Sequence, residues 1–183
     1  MRIIGGIHKR RRFALPKNFE ARPTTDFAKE NIFNVVDNLI DLEETTQALD
    51  LFSGTGSIGF ELVSRGCQQV TCIEKKFQHY QYICKIRQEL KADNMQVLNG
   101  DVFRFLQNTK QTFDFIFADP PFNLKELPDV PHTILSKNLL KEGGLFIMEH
   151  PKEYDFSALP LFFQRRVYGA VNFSLFFRQE EEK

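Results

Sequence analysis

The sequence contains no tryptophan, only three cysteines and no apolar run of the roughly 20 residues that a membrane-spanning helix requires. Cys67, Cys72 and Cys84 are odd in number and lack C-x-x-C spacing, which argues against disulfides and a zinc site and fits a reducing cytosol. The basic N-terminus is not followed by the apolar segment of a signal peptide. We therefore expect a soluble, cytoplasmic protein with no metal ion and no membrane contact.

Net charge is also absent, because 24 basic side chains balance 24 acidic ones. The two signs are unevenly distributed, however. Residues 1–22 contain seven basic side chains against Glu20 alone, whereas residues 23–183 contain 17 basic and 23 acidic ones. A basic segment ahead of an acidic body suggests a polyanionic partner. We accordingly expect a short N-terminal extension, 1–22, and one catalytic-sized domain, 23–183, since a domain takes about 100–200 residues.

Short apolar runs alternate with stretches of helical periodicity along most of the chain. Five runs predict parallel strands with helices on both faces of the sheet; they are Ala48–Phe52, Val70–Ile73, Met95–Leu98, Phe113–Ala118 and Leu145–Met148. Two more, Phe162–Val167 and Ala170–Phe177, flank Tyr168-Gly169 with no helix between them and predict an antiparallel hairpin. The prediction is an α/β fold with a seven-stranded, mostly parallel sheet, and it resembles the Rossmann-like class I methyltransferases.

Three smaller elements complete the predicted layout. A small hairpin is expected around Gly5-Gly6, and a helix over about residues 27–40. Another helical pattern covers about residues 131–140, between the fourth and fifth strands.

A glycine-rich loop follows the first predicted strand and reads Asp50-Leu51-Phe52-Ser53-Gly54-Thr55-Gly56-Ser57-Ile58-Gly59. It contains G-x-G-x-x-G, and Glu74 lies 20 residues beyond Gly54, as in an NAD-binding fingerprint. A dinucleotide, however, places its pyrophosphate at the helix N-terminus, where the Asp50 carboxylate would repel it. S-adenosylmethionine carries no phosphate; it presents a sulfonium and an ammonium group, which a carboxylate attracts. Asp50 therefore favours the methyl donor over NAD.

Acidic residues also follow the second and third predicted strands. Glu74 can accept hydrogen bonds from both ribose hydroxyls of the donor, and Asp101 can accept one from its adenine amino group. Ligands of open α/β sheets bind at the carboxyl ends of the strands, where the strand order reverses, so these acids are expected in one site. The predicted donor-binding residues are Asp50, Phe52, Gly54, Gly56, Glu74, Asp101 and Val102.

The fourth predicted strand ends in the predicted catalytic residues Asp119, Pro120, Pro121 and Phe122. An amino group on a nucleobase is a weak nucleophile, because its lone pair is delocalised into the ring. Asp119 and the Pro120 carbonyl can accept its two N–H bonds and direct the lone pair toward a methyl donor. Proline preorganises this acceptor by fixing the backbone. Phe122 can stack on the base, which is worth roughly 1–3 kcal/mol.

The glycine-rich loop together with Asp-Pro-Pro-Phe resembles the amino-methyltransferases of nucleic acids. Features outside these two motifs narrow the resemblance to the bacterial small-subunit ribosomal RNA guanine-N2 methyltransferases, whose target is guanine 966 of 16S RNA. These features are Arg2-Ile3-Ile4-Gly5-Gly6, the Arg10–Arg12 cluster, Arg22-Pro23-Thr24-Thr25-Asp26, Glu30, Phe33-Asn34, Glu149-His150 and Tyr168-Gly169. One departure is Phe27, where members of the family often have a basic residue.

The resemblance implies a monomeric enzyme that acts on 16S rRNA or the small ribosomal subunit with S-adenosylmethionine as cofactor. It gives the basic extension a role in RNA binding, since RNA affinity comes mainly from phosphate neutralisation. The predicted phosphate contacts are Arg2, Lys9, Arg10, Arg11, Arg12 and Arg22. Methyl transfer needs no histidine base, and we expect His79 to be a surface residue of its helix.

Three alternatives remain open at this point. A DNA or protein-glutamine amino-methyltransferase shares the Asp/Asn-Pro-Pro-aromatic motif, although protein substrates usually go with Asn. An NAD-dependent oxidoreductase is disfavoured by Asp50. A non-enzymatic RNA-binding module that has kept the fold is disfavoured because every donor-site residue is present.

Overall fold

The computed structural model describes residues 1–17, 19, 24–169 and 171–179. Within these ranges seven strands form one sheet in the order β3-β2-β1-β4-β5-β7-β6. The strands are β1 (Gln47–Leu51), β2 (Gln69–Glu74), β3 (Met95–Asn99), β4 (Phe113–Ala118), β5 (Leu140–His150), β6 (Phe162–Tyr168) and β7 (Val171–Phe177). The first five are parallel, and β7 pairs antiparallel with both β5 and β6. The predicted α/β fold with its terminal hairpin is confirmed.

Helices cover both faces of the sheet. In the described part of the chain they are α1 (Asp26–Leu39), α2 (Ser57–Ser64), α3 (Phe77–Leu90), α4 (Val102–Asn108) and α5 (Asp129–Ser136). Alternate strand residues face opposite layers, so the core divides into two clusters. One, with α1, α2 and α3, contains Phe115 and Phe117; the other, with α4 and α5, contains Ile116 and Phe146. Strand order reverses between β1 and β4, which makes their carboxyl ends the expected ligand-binding edge.

Strand β5 is longer than its apolar run predicted. It begins at Leu140, and its pairing with β4 shifts register between Leu140 and Leu145. Gly143, with a φ of 72°, lies at this irregularity. The bulge interrupts the apolar run, so periodicity alone located only the second half of the strand. The preceding helix α5 ends correspondingly earlier than predicted, at Ser136.

The residues around Gly5-Gly6 form the predicted small hairpin, which packs on the rest of the chain. Arg2 and Arg12 form an antiparallel bridge. Ile3 and Phe13 are buried in the same core cluster as helix α1. The boundary predicted between residues 22 and 23 lies outside the described residues.

Helix α2 holds the extension through a buried carboxylate. Glu61 is fully buried and accepts the backbone N–H groups of Ile4 at 2.9 Å and Gly5 at 2.6 Å. The Lys29 ammonium lies 3.9 Å from Glu61 Oε2 and donates a 2.9 Å hydrogen bond to Ser57 Oγ. Because Ser57 begins α2, this network joins the extension, α1 and the glycine-rich loop.

Candidate active site

A cavity of about 880 Å³ opens at the carboxyl ends of the parallel strands, on the edge where strand order reverses. Its size is within the usual range for small-molecule sites, about 300–1,000 Å³. Every residue predicted to be catalytic lines it, and so do all of those predicted to bind the donor except Gly56. The lining includes Asp50, Phe52, Gly54, Glu74, Asp101, Val102, Asp119, Pro120, Pro121 and Phe122. The sequence motifs therefore converge on one site.

The glycine-rich loop has an unusual backbone. Gly54 and Gly56 have φ angles of 54° and 72°, in the left-handed region that glycine tolerates without strain. Phe52 also has a positive φ, 59°, which is costly for an aromatic residue. Its side chain lines the cavity, with its ring edge-on to that of Phe103. The strained position thus turns an aromatic ring toward the ligand space.

Asp50 is buried beneath the loop. Its side chain is 2% exposed, and Oδ2 accepts a 3.1 Å hydrogen bond from the N–H of Gly59, in the first turn of α2. Burial raises the pKa of Asp50 to about 7, although the Gly59 bond opposes this shift. A cation brought into the cavity would stabilise the ionised form. This is the electrostatic environment expected for a positively charged donor.

Glu74 braces the glycine-rich loop. Oε2 accepts the Gly54 N–H and Oε1 accepts the Lys76 N–H, both at 2.7 Å. Each carboxylate oxygen has two lone-pair sites, so acceptor capacity remains for two hydroxyl groups. The predicted ribose contact stays compatible with the loop contacts.

Asp101 caps helix α4, whose first residue is Val102. Oδ1 accepts hydrogen bonds from the N–H groups of Phe103 at 3.0 Å and Arg104 at 3.2 Å. Oδ2 pairs with the exposed Lys75 ammonium at 3.0 Å. The hydrogen bond from Lys75 lowers the pKa of Asp101, and the two backbone bonds contribute. Asp101 is thus an ionised acceptor at the edge of the cavity, and its contact with adenine stays a prediction.

The Asp-Pro-Pro-Phe segment leaves the sheet directly after β4. The Asp119 N–H donates to the Leu51 carbonyl at 3.3 Å, which ties the segment to the end of β1. Its carboxylate faces the cavity, and burial raises the pKa of this group. Phe122 is 46% exposed at the rim. An acceptor inside and an aromatic ring at the entrance match the predicted base-binding role.

Sequence reasoning did not place Glu149 in the site. It lies near the end of β5, one residue beyond the pair Ala118–Met148, and lines the cavity beside Asp119. Burial raises the pKa of the Glu149 carboxyl, and the negative charge of Asp119 raises it further. The signal was present, because Glu149 follows an apolar run just as Glu74 does.

The surface position predicted for His79 is wrong. The residue is 6% exposed, lines the cavity and stacks on Phe19 with ring centroids 4.2 Å apart. Its Nδ1 lies 3.7 Å from Glu74 Oε1. The cover comes from Phe19, which precedes α1 in the chain, so the periodicity of α3 alone could not reveal it.

The predicted RNA contacts at residues 9–12 lie away from the cavity. Lys9, Arg10 and Arg12 are exposed, and Arg11 pairs with Glu89 at 3.0 Å near the end of α3. Helices α2 and α3 both begin at the cavity edge and run about 12 Å and 21 Å away from it. The basic turn, residues 9–12, therefore lies toward the amino ends of the strands. Arg2, by contrast, pairs at 3.4 Å with Asp26, which follows the cavity-lining Thr25. Arg22 lies outside the described residues.

Within the described ranges, no group of three or more His, Cys, Asp or Glu side chains is arranged to hold a metal ion. In those same ranges no helix combines the length and the apolar character needed to cross a membrane.

Comparison with known proteins identifies the family. Residues 1–177 match the family model described as Conserved hypothetical protein 95. The chain belongs to this family. Ribosomal RNA small subunit methyltransferase D of Escherichia coli K12 is 30% identical over 99% of this chain and 91% of its own length. The protein of the same name from Buchnera aphidicola subsp. Baizongia pistaciae is 32% identical over 81% of this chain and 75% of its own length.

A solved structure supports the assignment to the Conserved hypothetical protein 95 family. The structure of the Escherichia coli methyltransferase yhhF is similar to this one over 99% of each chain, with 30% sequence identity and a TM-score of 0.85. The present chain is accordingly a methyltransferase. The methyl donor predicted from its sequence is S-adenosylmethionine.

The cavity of this family member fits that donor by the chemistry of its side chains. Asp50, Glu74, Asp119 and Glu149 all line it. The sulfonium and ammonium groups of the donor are cationic, so these carboxyls attract them, whereas they would repel the pyrophosphate of NAD. The NAD-dependent alternative therefore disagrees with the site.

Proposed function

We propose that this protein transfers a methyl group to the exocyclic N2 amino group of a guanine in small-subunit ribosomal RNA. The relatives named above are ribosomal RNA small subunit methyltransferases, which supports this substrate class. The observation that carries the proposal is the position of Asp119-Pro120-Pro121-Phe122, which lines the cavity beside the glycine-rich loop. This segment is suited to hold a nucleobase amino group.

The residues of the chain then act as follows. The Asp119 carboxylate and the Pro120 carbonyl accept the two N–H bonds of the base, while Phe122 stacks on its ring. Bound S-adenosylmethionine supplies an electrophilic methyl group on a positively charged sulfur. The nitrogen becomes acidic as it gains the methyl group and must lose a proton. Because burial raises the pKa of Asp119 to about 7, its carboxylate can accept that proton near neutral pH.

The donor-binding and RNA-binding assignments are part of the same proposal. Asp50, Phe52, Gly54 and Gly56 would hold the methionine portion of the donor, Glu74 the ribose, and Asp101 with Val102 the adenine. Arg2, Lys9, Arg10, Arg11, Arg12 and Arg22 would contact RNA phosphates, within an extension of residues 1–22 that serves RNA binding. A monomer is the working unit in this proposal, as the resemblance to the guanine-N2 methyltransferases implies. We place the protein in the cytoplasm, with 16S rRNA or the small subunit.

Methylation of 16S rRNA and of small subunits from cells that lack this gene tests the proposal. The wild-type protein should produce N2-methylguanosine at one site, as mapped by mass spectrometry. Asp119→Ala should lower the single-turnover rate by about 10²–10³, the usual loss for one preorganised acceptor, with unchanged donor affinity. Asp119→Asn keeps a carbonyl acceptor, so it should retain more activity if Asp119 mainly orients the base.

The matched control is Asp93→Ala. Asp93 is exposed and lies between α3 and β3, at the amino ends of the strands and away from the cavity. This variant should methylate at the wild-type rate. Full activity in Asp119→Ala would contradict the proposed role, and a product methylated on another base or atom would contradict the proposed substrate.

A further inference from the structure

Glu149 and Asp119 occupy neighbouring positions at the inner end of the cavity. Ala118, the last residue of β4, pairs with Met148 of β5, so Asp119 leaves the sheet beside Glu149. Burial raises the pKa of Glu149, and the negative charge of Asp119 accordingly raises it further. Adjacent strands lie about 4.8 Å apart, and paired residues point to the same face of a sheet. Both carboxyl groups line the same cavity. A base whose amino group is held at Asp119 therefore presents an adjacent ring atom to Glu149.

The Glu149 carboxylate also has unused acceptor capacity. Among the described residues, none donates a hydrogen bond to the side-chain oxygens of Glu149 or Asp119. Both residues are half-buried, and two carboxylates so close to each other repel when both are ionised. A ligand with two adjacent N–H donors would satisfy both groups at once.

The nucleobases differ at this point of their Watson–Crick edges. Guanine has the ring N1–H directly beside its N2 amino group, so it offers two neighbouring donors. In adenine and cytosine the ring nitrogen beside the amino group carries a lone pair and accepts hydrogen bonds. A carboxylate at that position attracts the first arrangement and repels the second.

On the basis of the proposed function, we propose that Glu149 accepts the N1–H of the target guanine and selects guanine over adenine and cytosine. Asp119 and Glu149 then have separate tasks. Asp119 holds the reacting amino group, and Glu149 reads the neighbouring ring position.

The test measures equilibrium binding of RNA stem-loops that differ only in the target base, without the methyl donor. Guanine and inosine both carry N1–H, whereas 2-aminopurine keeps the N2 amino group but has a lone pair at N1. Wild-type protein should bind the guanine RNA about 10- to 100-fold more tightly than the 2-aminopurine RNA, the range for a hydrogen bond to a charged acceptor. Inosine RNA should not show the penalty that 2-aminopurine RNA shows.

Glu149→Gln separates base reading from a structural role. Glutamine can turn its amide NH₂ toward an unprotonated N1, so the preference for guanine over 2-aminopurine should shrink toward one, and adenine RNA should gain affinity. The matched control is Glu142→Gln, which should keep the wild-type ratio. Glu142 lies near the amino end of the same strand, 3.9 Å from Arg178. Thermal midpoints show whether both variants are folded.

The outcomes distinguish the two levels of the proposal. An unchanged guanine-to-2-aminopurine ratio in Glu149→Gln, or no such preference in the wild type, overturns the role of Glu149 alone if the wild type methylates guanine. A wild-type protein that methylates no guanine in ribosomal RNA overturns the proposed function, and the role of Glu149 falls with it. If Glu149→Gln is unstable, the wild-type base series can still overturn the role of Glu149, because that role requires a preference for guanine over 2-aminopurine.

Discussion

Gly59→Ala should destabilise this protein, although the same change stabilises an ordinary helix. Gly59 lies in the first turn of α2, where its backbone N–H is bonded to Asp50. A Cβ at this position would lie 2.5 Å from Cys72 Sγ, 3.0 Å from Met95 Cε and 3.2 Å from Asp50 Oδ2. Favourable contacts between heavy atoms need about 3.5–4.0 Å, so the Cys72 contact is about 1 Å too short.

Two opposing terms set the magnitude. Alanine improves helix propensity by about 0.8–1.0 kcal/mol relative to glycine. Overpacking a close-packed interior costs about 1–3 kcal/mol. Cys72 is buried at the centre of β2 and cannot move away easily, so we expect a net loss of up to about 2 kcal/mol in the free energy of unfolding. Any outward shift of α2 also moves the glycine-rich loop, so donor affinity should fall.

Urea unfolding of the variants measures the stability term, and calorimetric titration measures donor affinity. The decisive comparison is Gly59→Ala with and without Cys72→Ala. Cys72→Ala should destabilise the wild type but stabilise the Gly59→Ala protein, because it removes the clashing sulfur. Gly100→Ala serves as the stability control, since a Cβ there meets nothing within 4 Å. If Gly59→Ala raises stability by about 1 kcal/mol, as helix propensity alone predicts, the steric reasoning is refuted.

Two further predictions concern the donor site and the basic extension. Glu74→Ala should weaken S-adenosylmethionine binding by about 10- to 100-fold, measured by calorimetry, because the donor loses a charged acceptor and the Gly54 N–H loses its partner. Unchanged affinity would show that Glu74 does not contact the donor. Replacing Arg10, Arg11 and Arg12 together with alanine should reduce the log–log salt slope of RNA binding by about two to three units and leave donor affinity unchanged. An equal slope in both proteins would mean that the cluster does not contact phosphates.

The fold could be predicted because its signals are local. Each parallel strand contains a short apolar run; Asp50 lies near the end of β1, and Glu74 is the last residue of β2. The carboxyl ends of parallel strands all lie on the same side of the sheet. Acidic residues that are distant in sequence could therefore be assigned to one cavity from their places at the ends of successive strands. Asp50, Glu74 and Asp119 were found in this way.

Other features depend on contacts between elements that the sequence does not specify. The burial of His79 requires Phe19, and the place of Glu149 beside Asp119 requires the register of β4 against β5. The backbone bonds of Glu74 likewise arise only once the loop has folded over β2. Such contacts follow from tertiary packing, which periodicity and spacing do not encode.

The charge distribution further constrains how RNA could reach the reaction centre. Carboxyl groups outnumber lysines in the described lining of the cavity, and Asp101, whose pKa is lowered, would repel a phosphate as it would repel a dinucleotide. The exposed cations of the basic turn lie toward the amino ends of the strands, near the carboxyl ends of α2 and α3. We therefore expect only the uncharged target base to enter the cavity, turned out of its strand past Phe122, while the phosphates remain outside. On this arrangement, the extension anchors RNA several nucleotides from the reacting guanine and adds affinity without bringing negative charge into the donor site.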